Sequence, residues 1–229
     1  MVAGVKLGGK FIVIDGPDGS GKGTQLGRLM DWITAQGGRC RRARDPGGTE
    51  IGDRIRHILL GYDLSLMDPQ CEGLLFMASR AQLVAEVVRP VLQAGETVLC
   101  DRFISATCAY QVAAGVPRED VLALGRLAVG DTWPDLTVVL DVPPEVGFER
   151  TGRKPHHTSK RNGAGQLSIF EGATADAMER RPLDFHRRVR ELFRELPAVY
   201  PRPVVVVDAA RDVEAVWNAV REAVERAFQ

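Results

Sequence analysis

The chain has 229 residues and 45% hydrophobic content, which is enough for one α/β domain with a sizeable core. Its 30 basic and 30 acidic residues cancel, so no overall field favours nucleic acid or an anionic membrane as a partner, and a phosphate site must be local. The sequence shows no signal-peptide pattern and no apolar run of membrane-spanning length, so we expect a soluble, cytoplasmic protein. The cysteines lack the spacing of a metal site or a disulfide framework: Cys40, Cys71, Cys100 and Cys108.

Short apolar runs with continuous hydrophobicity are typical of strands that are buried on both faces. Four such runs end in an aspartate, at Asp15, Asp101, Asp141 and Asp208, and RCRRARD is a weaker fifth candidate. The segments between them have helical periodicity. This alternation predicts an α/β fold with a doubly wound, parallel, five-stranded sheet and helices on both faces, whose ligands bind beyond the carboxyl ends of the strands.

A glycine-rich loop, GPDGSGKGT, follows the first of these strands. Gly16, Gly21 and Lys22 have the spacing of a Walker A loop, in which backbone N–H groups surround phosphate oxygens at a helix N-terminus and the lysine adds positive charge. The loop is followed directly by an amphipathic segment that is predicted to be a helix, as the motif requires. The residues predicted to bind the nucleotide phosphates are Gly16, Asp18, Gly19, Ser20, Gly21, Lys22, Gly23 and Thr24.

The loop departs from the general motif at Gly23, where a Ser or Thr would ligate magnesium, and Thr24 follows one position later. The sequence GKGT resembles that of adenylate kinases, which implies a metal that is held largely through water. Asp15 and Asp101 are the candidates to hold those waters. A helix cap or a surface carboxylate is the alternative for each.

The segment from Thr151 to Ala175 is polar, contains glycine and is basic in its first half. A structureless segment of this length inside a compact domain is typical of a lid or of disorder, and composition does not decide between them. We therefore predict one P-loop domain over residues 1–229, with 151–175 as a lid or insertion.

Several separated motifs resemble, in order, those of bacterial thymidylate kinases over nearly the whole chain. They are RDPGGT, with Asp45 where the family has Glu; LLFMASRAQL; DRF and AYQ; PDLTVVLD; and VVDAARDVEAV. The resemblance implies a P-loop nucleoside monophosphate kinase that uses ATP and Mg²⁺ to phosphorylate dTMP. It also implies a homodimer. The balance of charges predicts neither nucleic acid nor a membrane as a partner.

The resemblance assigns the acceptor phosphate to Arg102, helped by Arg44 and Arg56, and guanidinium groups suit phosphate oxygens. Phe76 would stack on the base, and Arg80 would donate to its O4. Ordinary ion pairs and core packing are the alternatives. The remaining implied substrate contacts are Asp18 with the sugar 3′-hydroxyl, Tyr110 against the 2′ position, Thr107 near the base, and Gln111 in the AYQ element.

The predicted catalytic residues are Lys22, Asp101, Arg102 and Arg153. Some thymidylate kinases carry an arginine where this chain has Gly19, and bacterial relatives with glycine there use an arginine of the lid. Arg153 is the first candidate, and a solvated basic loop is the alternative. A phosphate acceptor is already anionic near neutral pH, so positioning and charge neutralisation are expected to carry the catalysis without a general base.

Other functions remain open at this point. A kinase for another monophosphate, such as dUMP or a purine nucleotide, has the same loop. An inactive nucleotide-binding homologue is suggested by Gly23 and by Ala177, which stands where the family has Arg. The sequence does not favour a GTPase, because it has no NKxD element.

Overall fold

The structure is a computed structural model, and it describes residues 7–61, 66–152 and 181–229. The strands are β1 (Phe11–Asp15), β2 (Cys40–Arg44), β3 (Thr97–Asp101), β4 (Leu136–Asp141) and β5 (Val204–Asp208). The helices are α1 (Lys22–Ala35), α2 (Glu50–Gly61), α3 (Pro69–Leu83), α4 (Arg89–Gln93), α5 (Ile104–Ala113), α6 (Arg118–Val129), α7 (Pro144–Arg150), α8 (Leu183–Val199) and α9 (Val213–Ala227). A π-helical turn, Val84–Val88, joins α3 to α4.

All five strands are parallel and lie in the order β2-β3-β1-β4-β5. The first strand is therefore central, and the chain winds outward from it on both sides. This is the doubly wound sheet that the alternation of elements predicts, and the aspartates predicted to end four of the strands do so. The weak fifth candidate forms β2.

Helices cover both faces of the sheet because successive residues of a strand point to opposite sides. Phe11 and Val13 of β1 belong to a core that includes residues of α3, α5 and α8. Ile12 and Ile14 belong to a second core, formed with α1 and α9. Each apolar residue of β1 is therefore buried, which explains its unbroken hydrophobic run.

The two edge strands are less buried than the central ones. In β5 only Val207 is buried, although its apolar run predicts a strand covered on both faces, and in β2 only Ala43 is buried. Strand β2 pairs with β3 alone among the described strands, and arginine side chains occupy much of its exposed surface. Charged residues are a common feature of edge strands, since they discourage pairing with another chain. The same feature makes the strand hard to recognise in the sequence.

The carboxyl ends of β1, β2 and β3 lie side by side, with Ile14 opposite Asp101 and Arg44 opposite Asp101 in the register. Within the described ranges, no helix is both long enough and apolar enough to span a bilayer. Of the segment predicted to form a lid, only Thr151 and Gly152 are described. Arg153 and Ala177 lie outside the described residues, as does Arg161, a second arginine of the predicted lid.

Candidate active site

The glycine-rich loop connects β1 to α1 and has the backbone that its glycines allow. Gly16, Gly19 and Gly21 have φ angles of 136°, 73° and 87°, which residues other than glycine rarely adopt. A Cβ atom on Gly16 would lie 2.4 Å from the carbonyl oxygen of Leu140. No side chain caps the N-terminus of α1, so its first N–H groups are available to an anion.

Lys22, the first residue of α1, folds back over this loop. Its Nζ donates to the carbonyl oxygens of Gly16 at 3.1 Å and Pro17 at 2.9 Å. Burial, together with the positive charge of Arg102, lowers the pKa of Lys22 to about 8. A bound phosphate would supply the negative charge that this ammonium group needs.

A cleft of about 230 Å³ opens next to the loop. It brings together all of the residues that the sequence predicts for the acceptor: Asp18, Arg44, Arg56, Phe76, Arg80, Arg102, Thr107, Tyr110 and Gln111. Lys22 and Asp101, which are predicted to be catalytic, line it as well. Its walls also include residues that sequence reasoning did not assign to substrate: Asp45, Pro46, Leu60 and Ala106. The remaining loop residues predicted to bind phosphate lie beside the cleft rather than in its lining.

Arg102 is fixed between the loop and the cleft. Its guanidinium donates to the Gly16 carbonyl at 3.2 Å and to Asp18 Oδ1 at 2.5 Å, and it lies 5.2 Å from the centre of the Tyr110 ring. Its φ of 66° makes it the one residue other than glycine in the described ranges with a left-handed backbone. Such strain is found where the surrounding structure holds a functional side chain in place.

The two aspartates predicted to hold a metal through water lie in different surroundings. Asp15 is completely buried: its carboxylate accepts from the Gly16 N–H at 2.8 Å and the Ser105 hydroxyl at 2.5 Å, and it lies 3.6 Å from Arg102. Burial raises the pKa of Asp15, and Arg102 partly offsets this. Asp101 instead lines the cleft and is partly exposed. Asp101 is therefore open to a molecule in the cleft, whereas Asp15 is enclosed and lies against Arg102.

The base end of the cleft is built around a buried arginine. Arg80 is 1% exposed, and its Nε donates to Asp45 Oδ2 at 2.5 Å. A terminal nitrogen donates to the Phe103 carbonyl at 3.0 Å and to Thr107 Oγ1 at 3.1 Å. Burial raises the pKa of Asp45, and the charge of Arg80 partly offsets this. Asp45 thus holds Arg80 in place, a role that its position in the RDPGGT motif could have indicated.

The other two arginines of the cleft are held more loosely. Arg44, which is half exposed, donates to Asp53 at 3.2 Å, and Arg56 donates to the carbonyl oxygen of Pro46 at 3.0 Å. Both line the same wall of the cleft. They can therefore turn toward an anion that enters it.

The surroundings of Gly23, where the general motif has a hydroxyl group, are open and include a guanidinium group. Gly23 and Thr24 are both exposed on the first turn of α1. A Cβ atom on Gly23 would lie 3.9 Å from a guanidinium nitrogen of Arg42, which in turn lies 4.0 Å from Asp101. In the described ranges no group of three or more His, Cys, Asp or Glu side chains could hold a metal ion.

A phosphate-binding loop at the centre of a doubly wound parallel sheet, with an arginine-rich cleft beside it, defines a P-loop phosphotransferase. Comparison with known proteins narrows this class. The sequence model of the family described as thymidylate kinase matches residues 14–220. The chain belongs to the thymidylate kinase family.

Individual relatives agree with the family match over nearly the full length of both proteins. A thymidylate kinase of Pelobacter propionicus is 41% identical over 213 residues, which cover 93% of this chain and 92% of the relative. A thymidylate kinase of Deinococcus radiodurans is 40% identical, and the match covers 93% of this chain and 97% of the relative. A thymidylate kinase of Bradyrhizobium sp. is 39% identical, and the match covers 93% of this chain and 90% of the relative.

Proposed function

We propose that this chain transfers the γ-phosphoryl group of ATP to dTMP, which yields ADP and dTDP. The observation that carries this proposal is the arrangement of one continuous cleft. Lys22 and Arg102 lie at its phosphate end, beside the loop, and the donor-only side chain of Arg80 lies at its other end. A nucleoside monophosphate has the matching polarity, with an anionic phosphate at one end and a polar base at the other.

At the base end, Arg80 donates four of its five N–H groups to Asp45, Met77, Phe103 and Thr107. The remaining N–H, on the nitrogen that also donates to Met77, is the one that can donate to thymine O4. Phe76 is half-buried and lines the cleft, where its ring can stack on the pyrimidine. Tyr110 is buried beside Arg102 and narrows the space available to the sugar. Gln111 completes this end of the pocket.

At the phosphate end, Arg102 meets the acceptor phosphate with help from Arg44 and Arg56. The acceptor oxygen of the phosphate is already anionic near neutral pH, so no general base has to deprotonate it. These side chains therefore act by holding the oxygen in line with the γ-phosphoryl group and by neutralising negative charge. Asp18 binds the guanidinium of Arg102 at 2.5 Å and also faces the cleft, where it can accept from the sugar 3′-hydroxyl.

A magnesium ion is part of this proposal, and the donor set fits the coordination that Mg²⁺ prefers. Mg²⁺ in kinases is bound through one or two carboxylates, several waters and the substrate phosphates. Asp101 supplies a carboxylate on the wall of the cleft, and Asp15 lies buried behind it. When bound, the ion would neutralise the charge of the transferred phosphoryl group.

The lid belongs to the proposal as well. We propose one kinase domain over residues 1–229 in which 151–175 closes over the reacting phosphates, and in which Arg153 supplies charge to the transition state. Exclusion of water by such closure would favour transfer to dTMP over hydrolysis. The proposed location is the cytoplasm, where ATP is available.

A homodimer is proposed because α3 and α6 present apolar side chains to the outside. Leu74 is 52% exposed and Leu127 is 84% exposed. Leu74 and Leu124 line one shallow depression between the two helices, and Leu127 lies three residues after Leu124, on the same side of α6. A second copy would cover this surface, and light scattering of the purified protein would measure the oligomeric state.

The experiment that tests the function is a screen for ADP release over all common nucleoside monophosphates, with ATP and magnesium present. We expect dTMP to give the largest kcat/KM and Lys22→Met to abolish most of the turnover. A purine monophosphate that is preferred, or no stimulation by any monophosphate, would contradict the proposal. Lys10→Met, which changes a lysine away from the cleft, should keep wild-type rates.

A further inference from the structure

A completely buried carboxylate lies behind the base end of the cleft. Glu72 is on α3, one turn before Phe76, and has no exposed surface. Its Oε1 accepts from Gln111 Nε2 at 3.1 Å, and its Oε2 accepts from a guanidinium nitrogen of Arg181 at 2.7 Å. Nothing in the proposed mechanism so far uses Glu72 or Arg181.

Arg181 pairs with this carboxylate. Burial raises the pKa of Glu72, and the charge of Arg181 partly offsets this. The guanidinium of Arg181 also lies over the Phe185 ring, 4.5 Å from its centre, which holds it in position. Without this cation, a buried carboxylate is driven to take up a proton. In this arrangement both oxygens of Glu72 accept hydrogen bonds, one from Gln111 and one from Arg181.

An acceptor-only Glu72 determines which way the Gln111 amide faces. The amide must turn its NH₂ group toward the carboxylate, so its oxygen points away from Glu72. Gln111 is 1% exposed and its Cγ packs near Gly73, where an added Cβ atom would lie 3.7 Å from it. No hydrogen bond among the described residues uses Gln111 Oε1, and the residue lines the cleft.

The base end of the cleft therefore offers a donor from Arg80 and an acceptor from Gln111. Thymine matches this pattern, because its O4 accepts and its N3–H donates. Cytosine has the reverse pattern, with an amino group that donates at position 4 and an N3 that accepts. A rotated Gln111 amide would instead present its NH₂ group, which suits cytosine N3.

We propose that Glu72 and Arg181 are positioning residues that hold the Gln111 amide with its oxygen toward the base and so select a pyrimidine that donates at N3. This inference rests on the proposed function of the same cleft. It assigns part of the choice between thymine and cytosine to two side chains that do not contact the nucleotide.

The test compares kcat/KM for dTMP and dCMP in Glu72→Gln and Arg181→Met. The amide that Glu72→Gln introduces could donate to Gln111 Oε1. Loss of Arg181 removes the charge that offsets burial, which favours the protonated form of Glu72, and that form could donate in the same way. Each change frees the Gln111 amide to rotate, so the ratio of kcat/KM for dTMP to kcat/KM for dCMP should fall about ten-fold or more. KM for ATP should stay at its wild-type value. Arg188→Met is the matched control, since Arg188 is close to Arg181 in the sequence but pairs at the surface with Glu191.

Arg181→Lys separates positioning from general support of the fold. It restores the positive charge beside Glu72, so it should recover most of the selectivity that is lost in Arg181→Met. Dissociation constants for dTMP and dCMP, measured by calorimetry, give the same ratio without turnover. Variants that lose activity toward both nucleotides equally, with the ratio unchanged, would overturn the inference. A wild-type protein with no preference for dTMP would instead overturn the proposed function.

Discussion

The backbones of Gly19 and Gly147 lie in direct contact. A Cβ atom on Gly19 would lie 2.3 Å from the Gly147 carbonyl oxygen, and a Cβ atom on Gly147 would lie 2.3 Å from the Asp18 carbonyl oxygen. The phosphate loop therefore rests on α7 with no side chain between them. An arginine at position 19 cannot be accommodated here, so any arginine that acts on the transition state must come from another segment.

The first prediction concerns this contact. We expect Gly19→Ala to destabilise the protein by about 2–4 kcal/mol, because the new methyl group overlaps backbone atoms and the residue has a φ of 73°. ATP affinity should fall as the loop moves. Gly27→Ala, in the middle of α1 with no atom within 4 Å of the added Cβ, is the control and should be neutral or stabilising by about 1 kcal/mol. Thermal denaturation and ATP titration measure both, and equal melting temperatures for the two variants would contradict the prediction.

The second prediction concerns the buried pair of Asp45 and Arg80. Asp45→Asn removes the negative charge that pairs with Arg80, which is 1% exposed, so the free energy of unfolding should fall by about 3 kcal/mol. KM for dTMP should rise because Arg80 loses the group that orients it. Asp31→Asn, at an exposed position of α1, should change neither quantity. Chemical denaturation and steady-state kinetics provide the measurements, and an unaltered KM would remove Asp45 from the positioning of Arg80.

The third prediction follows from the pKa of Lys22, which is about 8 in the free protein. Above pH 8 the amine is largely neutral, and bound phosphate should raise its pKa, so ATP binding should then take up a proton. Well below pH 8 the amine is already charged and no uptake by Lys22 is expected. Apparent ATP affinity should therefore weaken as the pH rises above 8. Calorimetry in two buffers of different ionisation enthalpy measures the uptake, which should disappear in Lys22→Met.

The fourth prediction concerns the lid arginines, which lie outside the described residues. Arg153→Ala should lower kcat with little change in KM for dTMP, because the charge acts only in the transition state. By analogy with arginine fingers the loss could approach ~10³-fold. Arg161→Ala is the comparison, and single-turnover rates separate chemistry from product release. Rates within a few-fold of wild type for both variants would show that the charge comes from elsewhere.

Local patterns in the sequence predicted the parts of this molecule that depend on neighbours in the chain. The continuous apolar runs located β1, β3, β4 and β5, although β5 is an edge strand in which only Val207 is buried. The Gly16-to-Lys22 spacing located the loop. The same reasoning could not distinguish Asp15 from Asp101, because both end a strand and only the packing of Ser105 and Arg102 buries the first. Nor could it find the contact between Glu72 and Arg181, which are 109 residues apart.

The central position of β1 has a consequence for how the chain folds during synthesis. Its partners are β3, which begins at Thr97, and β4, which begins at Leu136. During synthesis β1 therefore remains without its two partner strands until these later segments have been made. Pairing between distant segments is slow to form and leaves apolar surface open meanwhile. A ribosome-bound fragment that stops before Leu136 would therefore expose one edge of β1 and should not yet bind ATP. Nucleotide binding is expected to begin only once most of the polypeptide has left the ribosome.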